Sequence, residues 1–393
     1  FDEPRQRIEI ARRNEAFTRE QFREAVMDAV TSAVLAYHEL LFARRNLELQ
    51  ITAVDLARGQ VESNRRMVEQ GLLAPIDVVE TGTQLAAFEQ NAWNAHQAVT
   101  AAENALKQLM LPDRASPLWA TELVPVSPPR TEVTLEGLPE AAAAALANRP
   151  ELARAGIAAE INRLETRLAR ENTRPRINLV GSIAAAGLAG NPVPRDPNLF
   201  GGGTAQLTGR VNELSALAGL PALPALPDRF SAEVPPVFVG GYWQSLRNLY
   251  GWNYPTVIAG LEISVPLFNR GARAALAASE VQGRRIAAER QLAEQRIEAE
   301  VRDATEAVIA ARGAFEAAAL AARLAGEQFE SEQRRFRAGL STVFLLVQRQ
   351  SDTVLARGRA LRAEIDLARA AARFEDATGR VLAAWGVVID KTP

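Results

Sequence analysis

An apolar stripe with a 3.5-residue period occurs twice in this chain, and it limits the fold more than any other feature. From Ile297, steps of four and three pick out Val301, Ala304, Val308, Ala311, Phe315, Ala318, Ala322, Ala325, Phe329, Glu332 and Phe336. The same steps taken 268 positions earlier give Ala29, Ala33, Ala36, Leu40, Ala43, Leu47, Gln50, Val54, Ala57, Val61, Asn64 and Val68. Only Glu332, Gln50 and Asn64 interrupt the pattern. A sustained repeat of this period predicts long helices that supercoil against neighbours, and its many alanines let the backbones come close.

Identity supports the same duplication. With Gly71 laid over Gly339, Gln60, Glu62, Ser63, Arg66 and Leu72 fall without a gap on Gln328, Glu330, Ser331, Arg334 and Leu340. Each copy then restarts a helical pattern, so each reads as a hairpin of two long helices. Gly71 and Gly339 mark the reversals, where a left-handed residue is needed that glycine adopts most cheaply. Pro75 in one copy and Ser341-Thr342 in the other restart the helix at its first turn. The outbound arm from about Ala272 to Ala338 spans roughly 100 Å at 1.5 Å per residue. A hairpin so slender needs partners, within a closed oligomer or along a second protein.

Composition excludes several classes. A net charge of −2 gives no case for nucleic acid, and the lysines are only Lys107 and Lys391 among many arginines. Without cysteine there is no disulfide, thiolate or cysteine-metal chemistry. No run approaches the roughly 18 uninterrupted apolar residues of a membrane helix, so a bilayer would have to be crossed by strands. Helical periodicity begins almost at Phe1, and the amino end reads as incomplete.

Four regions are expected: a first hairpin over 1–110 with its tip near 71, a connector over 111–150, a middle region over 151–268, and a second hairpin over 269–393 with its tip near 339. The connector is proline-rich ("LVPVSPPRTEV") and reads as irregular with one short strand. In the middle region "NRPELARAGIAAEINRLETRLAREN" predicts a helix with Pro150 near its first position. Two strands are expected at about 176–187 and 255–267. In the first, Ile177, Leu179, Gly181 and Ile183 alternate with Asn178, Val180, Ser182 and Ala184; in the second, Val257, Ala259, Leu261, Ile263 and Val265 alternate with Gly260, Glu262 and Ser264. Their lengths suit tilted membrane strands of about 9 to 11 residues, with one face to lipid and one to a wet lumen. The Gly/Pro-rich stretch 188–254 between them reads as an extracellular loop, a surface excursion or a partial plug. Near its end, Tyr242, Trp243, Tyr250, Trp252 and Tyr254 suit an interfacial aromatic girdle, or equally the packing of the loop on itself.

Taken in order, the duplicated unit, "NRPEL", "RPRINLVGS", "VPLFNRGAR" and the paired tips Arg66–Gly71 and Arg334–Gly339 resemble the TolC-like outer-membrane efflux protein family over most of the chain. The opening "FDEPRQRIEIARRNEAF" is similar to "FNRGARAALAASEVQGR" of the second copy, which implies a first strand pair upstream of Phe1. The resemblance implies a mainly α fold with a small β part, its duplicated coiled-coil hairpins forming an α-barrel. It implies a homotrimer whose strands share a 12-stranded barrel in outer-membrane lipid while the helices extend into the periplasm. It further implies docking of a periplasmic adaptor, and through it of an inner-membrane RND or ABC pump, on a Gly-Leu-Ser/Thr tip. Gly339, Leu340, Ser341 and Thr342 fit that pattern beside Arg334. Arg66, Gly71 and Leu72 fit it in the first copy, but Leu73 stands where a hydroxyl is expected. A tunnel aperture two to three turns beyond the tips would fall at Leu345 and Gln348 in one copy and Asp77 and Glu80 in the other, with Arg349 nearby.

Catalysis has no support. The position four residues after His38 is Phe42, and His96 is the only other histidine, which is poor material for a metal site. Gly201-Gly202-Gly203 lacks the ending of a phosphate loop. No cofactor and no enzymatic activity are expected. The reading is an export duct of a tripartite efflux or secretion system; the alternative is a periplasmic coiled-coil scaffold or tether with no pore.

Overall fold

The computed structural model describes residues 3–132, 134–192, 198–224, 234–265 and 268–389, with backbone alone over 198–205. It divides into two units, residues 1–171 with 271–393, and residues 172–270.

The first unit contains both hairpins. Helix α1 (Glu3–Glu69) turns back as α2 (Pro75–Met110), and helix α7 (Arg270–Arg337) turns back as α8 (Val343–Ala377). The apolar stripe is the packed face. Leu40 and Ala43 of α1 meet Val99, Ala102 and Leu106 of α2, and farther toward the tip Ala53, Val54 and Ala57 meet Phe88. Ile297, Val301 and Val308 of α7 pack with Leu367, Ala370 and Phe374 of α8. By length and composition α1 could cross a membrane. Within it Val34, Leu40, Leu41, Ala43, Ala53, Val54 and Ala57 are buried in the chain, whereas Ile51 and Leu56 are exposed.

Charge pairs join the hairpins along α1 and α8. Arg362 and Arg369 both reach Glu39, at 3.1 and 2.5 Å, and Arg45 reaches Glu364 at 3.2 Å. Two connector helices follow α2: α3 (Leu138–Asn148), and α4 (Pro150–Glu171), which begins with Pro150 as expected. Helix α4 pairs with α1 through Arg154–Glu24 at 2.8 Å and Arg13–Glu160 at 3.1 Å. It meets α7 where Asn162 Nδ2 donates to the Ser279 carbonyl at 3.2 Å. At that crossing a Cβ on Gly283 would stand 2.6 Å from Asn162 Oδ1, so any larger residue has to push that amide aside.

The connector carries no strand among its described residues, contrary to the sequence reading. Pro125, Pro128 and Pro129 remove ladder donors there, and an alanine run behind Pro139 forms α3 instead. Lys107 fastens this segment to α2. Its buried ammonium pairs with Glu103 at 2.8 Å and donates to the carbonyls of Trp119 and Thr121. Burial alone would push the Glu103 carboxyl up, but the bonds from Lys107 and the Leu123 N–H hold it below its usual range. The chain closes with the short helix α9 (Val381–Ala384), and Trp385 beyond it donates from Nε1 to Glu375 at 2.9 Å while lying under Arg130.

The second unit is built on an antiparallel pair, β1 (Arg176–Ala185) and β2 (Pro255–Ser264). Both strands are shorter than the sequence suggested, and residues 266 and 267 lie outside the described residues. The intervening stretch is not simply a loop, because it contains α5 (Asn198–Leu217) and α6 (Tyr242–Tyr250). The Gly/Pro-rich flanks conceal both helices in the sequence. Helix α6 packs on the chain leaving β1: Ser245 Oγ donates to the Gly187 carbonyl at 2.7 Å, and buried Asn248 donates to Leu188 at 2.9 Å and Val237 at 2.7 Å.

Candidate functional site: the hairpin tips and the strand pair

The two tips share one backbone construction. Gly71 and Gly339 have φ of 75° and 74°. The N–H of Gly71 donates to Val68 and that of Leu72 to Met67; in the second copy Gly339 donates to Phe336 and Leu340 to Arg335, at the same 2.9 and 2.8 Å. This pair of bonds is the Schellman arrangement, which satisfies the last carbonyls of a helix around a left-handed residue. It leaves Leu72 and Leu340 69% and 71% exposed, with Ile76 and Phe344 exposed beside them at equivalent positions. Each tip therefore presents a short apolar knob, and Arg66 and Arg334 are exposed on the helical turn before it.

The helices restart differently. Thr342 is the N-cap of α8, its hydroxyl accepting from the Leu345 N–H at 3.3 Å. In the first copy Ala74 occupies the cap position, and the carboxylate of Asp77 accepts from the Ala74 N–H at 3.0 Å. The capping oxygen has moved from the first position to the fourth. Asp77, a candidate for the aperture, thus also caps its helix. Leu345 and Gln348 are exposed, Glu80 is half-buried. Arg349 pairs with Asp352 at 3.6 Å and donates to Gln328 at 3.4 Å, both in its own hairpin, and among the described residues no bond joins it to Asp77 or Glu80.

The stripe's polar interruptions prove informative. Glu332 is buried, accepts from the Ser341 hydroxyl and pairs with Arg335 at 3.5 Å. Asn64, its counterpart, is fully buried and accepts from Gln60 at 2.7 Å, while its own amide nitrogen has no partner among the described residues. Leu73 stands where Ser341 stands, so the first tip has no hydroxyl to offer. Sequence reasoning treated both residues as breaks, although a polar residue kept at one repeat position in both copies was signal enough.

On one side of the strand pair the register puts apolar residues opposite apolar residues. Ile177 faces Ile263, Leu179 faces Leu261, Gly181 faces Ala259 and Ile183 faces Val257, while Asn178 faces Glu262 and Ser182 faces Ile258. Direct partners share a side of the sheet, so the two alternations read from sequence form one apolar face and one more polar face. Both faces are exposed within the chain. Tyr242, Trp243, Tyr250 and Trp252 are exposed on and just beyond α6, whereas Tyr254 is half-buried and stacks on Phe238 at 4.8 Å. The first four have the exposure an interfacial girdle needs, and Tyr254 packs locally.

Twin helical hairpins with matched tips, accompanied by an amphipathic strand pair exposed on both sides, define the class of outer-membrane proteins with long helical extensions. The chain belongs to the outer membrane efflux protein family, whose model matches residues 1–110 and 236–380. That membership places it in the outer membrane, with its helices extending into the periplasm, in a family of export proteins and not of enzymes. Its fold is similar to that of a membrane protein from Pseudomonas aeruginosa, at 17% identity and a TM-score of 0.69 over 95% of this chain and 73% of that one. The Campylobacter jejuni CmeC outer membrane channel is similar at 13% identity and 0.68, over 96% and 68% of the two chains. VceC, an outer membrane protein of Vibrio cholerae, is similar at 17% and 0.67, over 95% and 75%. At these identities the likeness concerns the fold. No curated protein matches the sequence.

Proposed function

We propose that this chain is the exit duct of a tripartite efflux or secretion system, passively conducting cargo outward from a periplasmic adaptor and an inner-membrane pump. The single observation that carries the reading is the register of β1 and β2, which builds an apolar face that none of the described residues covers. Strands in lipid must close into a barrel so that no backbone group is left unpaired. Two strands cannot close alone, so three chains pool theirs into one barrel, and their hairpins line up as the wall of a helical tunnel. A soluble tether has no use for such a face, which disfavours the scaffold reading.

In this reading the tips are the docking points. The exposed Leu72 and Leu340 seat on the adaptor, Ser341 and Thr342 complete the second tip, and Arg66 and Arg334 flank the contacts. Residues Asp77, Glu80, Leu345, Gln348 and Arg349 lie at the level of the aperture, and a contact of Arg349 with a carboxylate across the ring would narrow it. The aromatic rings near α6 mark one membrane interface.

The test uses Leu340→Asp and Gly339→Pro. Both should abolish export while the trimer and the heat-modifiable gel mobility of its barrel persist. Normal export by both variants would refute the docking assignment. A wild-type protein that stays soluble and insensitive to boiling would refute the duct itself and favour the tether.

A further inference from the structure

Between α1, α2 and α8 the first unit contains a cavity of about 400 Å³, within the range of small-molecule sites. Phe42 and Phe88 line it from α1 and α2. Three features distinguish it from a packing gap.

First, Gly358 lies in the interior of α8, where glycine is an unfavourable helix residue. A Cβ built there would meet only Leu49, at an ordinary contact distance of 3.8 Å, so packing does not require the glycine, which itself lines the cavity. Second, Gln50, which also lines the cavity, has a buried Oε1 that accepts no hydrogen bond among the described residues. An acceptor left in that condition is costly unless a donor arrives from outside. Third, the two arginines at the cavity differ. Arg362 is committed to the protein: it binds both oxygens of Glu39 at 3.1 Å, pairs with Asp366 at 3.1 Å, and lies 4.9 Å over the Phe42 ring. Arg359 is exposed and has no ion-pair partner among the described residues.

The duplication provides an internal control. At the positions of α2 equivalent to Gly358 and Arg359 stand Gln90 and Asn91. The hairpin geometry therefore requires neither the glycine nor the guanidinium, and Asn91 lines the same cavity from α2 as Arg359 does from α8.

We propose that this cavity binds a small aromatic carboxylate that also carries a hydroxyl or amine donor. The ring lies between Phe42 and Phe88, the carboxylate meets Arg359, and the donor satisfies Gln50 Oε1. The site is formed by one chain and does not rest on the pore reading.

The test titrates the protein in lipid nanodiscs with 6-hydroxy-2-naphthoate, followed by its own fluorescence. Saturable binding is expected, with 2-naphthoate, which lacks the hydroxyl, weaker. Arg359→Gln should weaken the probe about tenfold, the loss of roughly one charge-assisted bond. Gly358→Leu should abolish binding by filling the cavity, and Gln50→Met should erase the preference for the hydroxylated probe. Circular dichroism checks the fold of each variant; if Gly358→Leu misfolds, the other two substitutions carry the test. No saturable binding up to millimolar probe, unchanged affinity in a folded Gly358→Leu, or equal affinity for the two naphthoates in the unaltered protein would each overturn the proposal.

Discussion

Asn64 and Glu332 occupy the same buried point of the two hairpins, and only Glu332 has a hydroxyl partner, supplied by Ser341 across the turn. The second tip is therefore tied internally at a place where the first is not. Ser341→Ala should leave the buried carboxylate short of a donor, at a cost of about 1–3 kcal/mol. Amide hydrogen exchange over residues 340–346 should speed up accordingly. Leu73→Ser should do the opposite in the first tip, by giving the Asn64 amide an acceptor.

The crossing of α4 and α7 makes an unusual prediction for a glycine in a helix. Elsewhere Gly→Ala in a helix interior gains about 1 kcal/mol. At Gly283 the new methyl would meet Asn162 Oδ1, forcing that buried amide off the Ser279 carbonyl. Gly283→Ala should give no gain and Gly283→Leu a clear loss, read as faster exchange in α4 relative to Gly313→Ala, where a Cβ meets nothing.

The strand register can be tested one face at a time. Leu179→Arg puts a charge on the apolar face and should cost about 2–4 kcal/mol near the bilayer midplane. Asn178→Arg, one residue away on the opposite face, should be tolerated. Heat-modifiable mobility lost in the first and kept in the second is the expected outcome; equal behaviour would mean that the faces are assigned wrongly.

His38 supplies a pH dependence. Burial, with Arg369 and Arg130 adding to it, holds the imidazole below its ordinary value. The opened chain binds a proton near pH 6.5 that the folded chain refuses, so this residue removes stability as pH falls below about 6.5 and has no effect above it. Glu375 and Asp376 are raised by burial and act in the opposite sense, gaining stability as pH falls through their folded values toward the ordinary carboxylate range. In hydrogen exchange over residues 34–42, His38→Asn should therefore lose less protection than the unaltered protein between pH 7.5 and 5.5.

The hairpins and their turning points could be read from sequence because a long repeat of one period, with glycine at its end, has few other solutions. The strands were legible from alternation, cleanly in Val257–Val265 and more weakly in Ile177–Ala184, where Val180 and Ala184 blur the second side. The helices inside 188–254 were not, since the prolines and glycines around them outweigh the periodicity of short segments such as Tyr242–Tyr250. Nor could sequence assign Asp77 to a cap, because a carboxylate three residues beyond a turn is equally suited to an aperture. Lys107 looked like a compositional oddity, and only its contacts with Glu103, Trp119 and Thr121 give it a role.

The matched turns at Gly71 and Gly339 bear on the symmetry of whatever meets them. Around a threefold axis the unlike ends alternate six times, close in shape and unequal in chemistry. A ring of identical subunits that engaged them one per end would meet two quasi-equivalent environments, and the difference between Leu73 and Ser341 is the least each of its subunits would have to tolerate.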